Sequence, residues 1–293
     1  MAVRLVLAGF AYLITLGLAY GLLIPAVPAD PTASESFVSP VVAPFVMTTV
    51  HTVVMGWLIL RSRRRGWGLV AVWVAVFFGV QTLMPQVESW LFQATSGMAA
   101  HLPSEMIPRI VLAGLLHACL WIPLAVWILG RGRSDGTPDA GPPSSLTASL
   151  KGWKLPVAAV AYVFVYFLFG YYIAWRSPAV RAYYGGTDPG TFWVQFLGVV
   201  RDTPWLPLAQ VVRGAVWTWI GVAVLRSTRG GLLERALAVG ALFGLVMTAG
   251  LLLPNPYMPY AVRMAHLVET GSSNFLFGVF VAWLFGRGER EMG

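Results

Sequence analysis

Eight apolar runs of about twenty residues each dominate the 293-residue chain, at 5–24, 40–60, 67–85, 107–129, 155–175, 205–225, 232–253 and 264–285. A helix crosses a hydrocarbon core of roughly 30 Å with about 20 residues, so each run has the length of one crossing. Within a bilayer every backbone amide and carbonyl needs an internal partner, which only helices and closed barrels supply. A barrel would show many shorter alternating segments, and this chain does not. Composition agrees: 57% of residues are hydrophobic and 11% charged, against roughly a quarter charged in soluble domains. The expected fold is an all-α integral membrane protein with about eight transmembrane helices.

The runs divide into two sets of four in the same order. Leu5, Ala8, Ala11 and Tyr12 match Leu155, Ala158, Ala161 and Tyr162. Arg61-Ser62-x-Arg64-x-Gly66 recurs as Arg226-Ser227-x-Arg229-x-Gly231, and Trp127-x-x-Gly130-Arg131-Gly132 as Trp283-x-x-Gly286-Arg287-Gly288. Internal repeats govern architecture before local features do. The expected organisation is a four-helix repeat over 1–130, a flexible linker over 131–154 rich in Gly, Pro, Ser and Thr, and a second repeat over 155–293. An even number of crossings per repeat means that both copies enter the membrane the same way, as tandem parallel repeats.

A net charge of +8 would ordinarily raise an acidic partner such as nucleic acid. Its distribution gives a better account. In an eight-span arrangement most basic residues fall on one side, among them Arg61, Arg63, Arg64, Arg65, Arg226 and Arg229. The positive-inside bias then puts both termini in the cytoplasm, with anionic lipid headgroups, rather than nucleic acid, as partners of the basic loops. The first run is as long as a span and its counterpart is internal, so it reads as a retained helix rather than a cleaved signal. The single cysteine, Cys119, excludes an intrachain disulfide.

Polar groups in hydrocarbon are costly, which makes those inside the spans the candidates for function. Counting from the basic ends at about 1.5 Å per residue puts His51 near the midplane. The same count puts Arg213, His117, Asn274 and Gln81 about 20 Å up, with Glu269 and His266 higher still. Glu88 belongs at that upper level as well. Arg213 is the clearest signal: a buried arginine either holds the anionic group of a ligand or pairs internally with Glu88, Glu269 or Asp202. His266-x-x-Glu269 shares a helix face. With Glu88, and with His101 or Glu105 from the 86–106 loop, it would make a metal site, although capping and hydrogen bonding explain the same residues. His51 and His117 would suit a b-type haem between facing helices, against the plainer reading of two hydrogen-bonded core histidines. Gly271-Ser272-Ser273-Asn274 invites a nucleophile reading with His266 or His117 as base; small residues at a helix contact account for it equally. No metalloprotease, serine-hydrolase or phosphate-loop motif is present, and no cofactor is indicated.

Leu251-Leu-Leu-Pro-Asn-Pro256, the segment from Ala261 to Thr270, Ser272-Ser-Asn-Phe275, Gln81-Thr-x-Met84-x-Gln86-x-Glu88-Ser89 and Ala182-Tyr-Tyr-Gly-Gly186 together resemble a group of uncharacterised bacterial polytopic integral membrane proteins. The resemblance implies a bacterial inner membrane and no mechanism. The expected function is a membrane-embedded binding or transport protein for a small anionic or amphiphilic ligand, with an outward-facing site. That site comprises Arg213, Glu88, His266, Glu269, Asn274, His117 and Gln81. An intramembrane hydrolase using Glu88, His266 and Glu269 and a non-catalytic subunit of a membrane complex are the alternatives.

Overall fold

The computed structural model describes residues 1–25, 37–133 and 152–286. Among them eight helices are long and apolar enough to cross a membrane, and the chain is an all-α polytopic membrane protein. The first half comprises α1 (Ala2–Leu23), α2 (Ala43–Leu60), α3 (Gly66–Phe78), α4 (Met84–Gln93) and α5 (Met106–Ile128). The second comprises α6 (Lys154–Phe169), α7 (Pro178–Tyr184), α8 (Phe192–Asp202), α9 (Trp205–Ser227), α10 (Leu232–Ala241) and α11 (Tyr260–Gly286). Three crossings contain a π turn: Gly79–Leu83 joins α3 to α4, Gly170–Ala174 extends α6, and Leu242–Val246 follows α10.

Seven crossings lie close to the apolar runs; the third runs on to Gln93 where the sequence suggests a loop from Gln86. Pro85 lacks an N–H and would break a regular helix. Here it opens α4 just after the π turn, a position where the missing amide is not needed. Glu88 therefore stands on a rigid helix. Most of the expected 131–154 linker lies outside the described residues.

Two short helices, α7 and α8, follow the fifth crossing. Ser177 and Thr191 cap α7 and α8 by accepting from the amides of Val180 and Val194, as N-cap hydroxyls do. No residue of α8 is buried, and Trp193, Val194 and Leu197 lie exposed along it, which suits a helix lying on the apolar boundary.

In the first half α1 packs on α2 and α5, and α3 packs on α5; in the second, α6 packs on α9 and α11, and α10 on α11. The halves meet where α2 contacts the π and 3-10 turns after α10, and where α3 contacts α9. One aromatic-rich core including Trp73, Phe77, Trp121, Trp217, Phe243 and Phe277 runs through both. Gly244 lets α11 approach so closely that a Cβ there would lie 2.6 Å from the Gly271 carbonyl oxygen. Gly17 and Gly21, spaced like Gly240 and Gly244, pack against nothing: a Cβ at Gly17 or Gly21 meets no atom within 4 Å.

The basic turns share one face. Arg63 N–H donates to the Ser227 carbonyl at 2.7 Å and Arg229 N–H to the Arg61 carbonyl at 2.8 Å, an isolated antiparallel bridge centred on Ser62 and Thr228. Arg131 donates to the Ser62 and Arg64 carbonyls at 2.6 and 3.2 Å. The start of α1 joins them, with Arg4 3.4 Å from the Leu129 carbonyl. α7 and α8 lie at the other end of the bundle.

Candidate functional site

At that other end α9 carries Arg213, 3% exposed. Its Nη2 donates to Glu88 Oε2 at 2.7 Å and its Nη1 to Gln210 Oε1 at 2.8 Å, while the guanidinium lies 5.8 Å over the Tyr162 ring. Gln210 is three residues before Arg213 and so shares its helix face. Of the two readings of Arg213, the internal ion pair is the one observed. A buried arginine needs a charged partner at short range, and Glu88 on α4 supplies it.

A second constellation stands on α11 and α7. His266 Nδ1 lies 3.4 Å from Glu269 Oε2, its Nε2 lies 3.1 Å from the Tyr184 hydroxyl, and Thr270 Oγ1 donates to Glu269 Oε2 at 2.7 Å. A carboxylate only accepts, so His266 donates from Nδ1 to Glu269, while its Nε2 pairs with the Tyr184 hydroxyl. Burial chiefly raises the Tyr184 phenol well above its usual range, with the charges of Glu88, Tyr183 and Glu269 adding to it, which keeps that hydroxyl a donor. Burial likewise pushes Tyr183 up to about 12.

Between the two constellations lies a cavity of about 200 Å³. Glu88, His266, Glu269, Thr270 and Asn274 line it on the polar side. Phe92, Tyr166, Tyr171, Trp175 and Tyr184 contribute aromatic surface. Its walls are pinned from outside. Arg263 is fully buried and donates through Nη1 to the Leu251 carbonyl at 3.2 Å and through Nε to the Met258 carbonyl at 3.2 Å; both of those residues line the cavity. Arg181 holds the Trp175 carbonyl at 2.7 Å, and Tyr171 donates to the Gly190 carbonyl at 2.7 Å.

The structure thus brings Glu88, His266, Glu269 and Asn274 to one cavity and sets Arg213 behind its wall rather than on it. Gln81 and His117 do not line it. Gln81 accepts from its neighbour Thr82, and His117 belongs to an aromatic cluster in the first half. There the Tyr12 ring lies 5.2 Å from His51 and 4.6 Å from His117. Tyr12 donates to His51 Nδ1 at 2.6 Å, and His51 Nε2 donates to the Val246 carbonyl at 2.8 Å. Both nitrogens of His51 are thereby engaged, and Tyr12 fills the space a macrocycle would need between the two histidines.

Among the described residues no three of His, Cys, Asp and Glu converge as metal ligands. His101 stacks on Tyr183 with ring centroids 4.6 Å apart instead of joining Glu88. The hydroxyls of Ser272 and Ser273 donate to helix carbonyls, as hydroxyls inside apolar helices commonly do, rather than facing His266 as nucleophiles. Sequence reasoning missed Gln210, legible in principle from its spacing to Arg213. It also missed Tyr166, which carries no motif, and gave no role to Tyr184 within Ala182-Tyr-Tyr-Gly-Gly186.

Comparison with known protein families, curated proteins and solved structures finds no match.

Proposed function

We propose that this membrane-embedded protein binds or transports a small amphiphilic ligand whose polar head enters the cavity beside Glu88 and Glu269. The observation that carries this reading is the cavity itself. It combines a mostly aromatic and aliphatic wall with a few convergent polar groups, the usual make-up of a small-molecule site, at one end of a bundle whose outer surface is apolar. A volume of about 200 Å³ corresponds to roughly seven waters at about 30 Å³ each, which suits a head group rather than a whole lipid. We also place the basic face in the cytoplasm of a bacterial inner membrane, by the positive-inside bias. On that orientation the site opens outward.

Gly170 tests the site. It lines the cavity, and a Cβ there meets nothing within 4 Å, so the first atom of a larger side chain enters open space. Native mass spectrometry of the protein in a neutral detergent is expected to show a retained amphiphile on the unaltered chain and its loss from Gly170→Phe, with thermal stability preserved. Equal retention by both proteins would overturn the reading.

A further inference from the structure

From the arrangement of charge around the cavity, and resting on the reading just given, we infer that the head group it selects is a cation, an alkylammonium or similar, rather than an anion. The two carboxylates stand on the wall, and among the described residues no lysine or arginine lines it. Arg213, behind the wall, is 3% exposed and is turned toward Glu88 and Gln210, and Arg263 and Arg181 are turned to backbone carbonyls of the wall. A ligand head therefore meets carboxylate before it meets guanidinium.

The hydrogen bonds specify which atoms are left for it. Arg213 takes Oε2 of Glu88, and Thr270 and His266 take Oε2 of Glu269. Oε1 of each carboxylate accepts no hydrogen bond among the described residues, so two acceptors stand ready in one cavity. The charged side chains that reach the cavity surface are therefore carboxylates, and a cation complements them. An anion would sit beside both in a poorly solvated space, where like charges are least screened.

The rest of the wall fits the same chemistry. Aromatic faces attract cations, above all alkylated ammonium groups, which bury their methyl groups against the rings while keeping their charge. Tyr166, Tyr184, Trp175 and Phe92 line the same cavity as the carboxylates. A primary or quaternary ammonium gains from both elements, whereas a phosphate or sulfate head meets neutral donors such as Ser89, Gln195 and Asn274 but no lysine or arginine among the described residues.

The test compares three amphiphiles of equal chain length against the full-length protein in maltoside micelles: dodecyltrimethylammonium, dodecyl phosphate and octaethylene glycol monododecyl ether. Binding is read as saturable thermal stabilisation and as stoichiometry in native mass spectrometry. Dodecyltrimethylammonium is expected to bind one-to-one and at least tenfold tighter than the other two. Glu269→Gln is expected to weaken it on the order of tenfold, the effect of losing one charged contact, while leaving the neutral ether unchanged. Preference for dodecyl phosphate, or equal binding of all three, would overturn the cation assignment while leaving the amphiphile site standing. Failure of every amphiphile to bind would overturn the site itself. Should Glu269→Gln not fold, the ranking of head groups on the unaltered protein still decides.

Discussion

Arg213 and Glu88 form an ion pair that joins the halves of the molecule at the level of the cavity, α9 to α4. Removing one member of a buried pair leaves its partner charged and unsolvated, at a cost of about 3–5 kcal/mol, whereas removing both together is often nearly neutral. Glu88 keeps 27% side-chain exposure, which offsets part of that cost on its side. Arg213→Met is thus expected to lower stability by about 2–4 kcal/mol, and Arg213→Met with Glu88→Gln to recover most of it, measured by chemical unfolding in micelles. A double variant no more stable than the single one would show that Arg213 acts through something other than Glu88. How far such residues were legible from sequence has a geometric answer. Counting residues along a helix gives height, and the count does gather Arg213, Glu88, Glu269, His266 and Asn274 into the upper part of the bundle. It gives no azimuth, since which way a side chain faces depends on neighbouring helices. Gln81 and His117 were grouped with the site for that reason: their level fits, yet they turn into other contacts.

Apolar length sets where the helices begin and end, and the eight runs are legible for that reason. What the runs do not announce is the internal irregularity of three crossings. A π turn carries an extra residue that breaks the regular i to i−4 pattern of hydrogen bonds. The Val246 carbonyl, at the end of Leu242–Val246, is the one that accepts from His51, so the buried histidine and the irregular turn satisfy each other. Glycine spacing is similarly ambiguous: two Gly-x-x-x-Gly pairs look alike in sequence, and only the one in the seventh crossing is packed. A methyl group at Gly244 would fall 2.6 Å from the Gly271 carbonyl oxygen, and α11 backbone cannot move without disturbing Glu269 and Asn274 on the same helix. Gly244→Ala is therefore expected to cost about 1–3 kcal/mol, the usual range for overpacking a close contact. Gly17→Ala is expected to be neutral or slightly stabilising, because alanine is the better helix former. Paired thermal-melting measurements check both; equal losses at the two positions would mean that α1 also packs through its glycines.

At the scale of the molecule the proposed tandem duplication draws its support from contacts between and within the halves. The order of neighbours in the first half, first helix on second and fourth and third on fourth, recurs in the second. The contact of α2 with the turns after α10 has its counterpart in the contact of α3 with α9, as a two-fold relation exchanging the halves would require. The matching turns at Arg61–Arg65 and Arg226–Gly231 touch in an antiparallel bridge, the self-complementary contact such an axis generates. Charge adds orientation. Basic residues crowd the face where those turns meet, which the positive-inside bias assigns to the cytoplasm, whereas Asp188 lies exposed in the α7–α8 connection at the other end. Single cysteines placed at 64, 229 and 188 in a Cys119→Ser background separate the two claims when probed with an impermeant maleimide in sealed vesicles. Arg64→Cys and Arg229→Cys are expected to label together from the cytoplasmic side, and Asp188→Cys only from the opposite side. Labelling of 64 and 229 from opposite sides would dismantle the parallel duplication and the fold with it. Their joint labelling from outside would keep the fold and reverse its orientation, turning the cavity toward the cytoplasm and its ligand into one delivered from within.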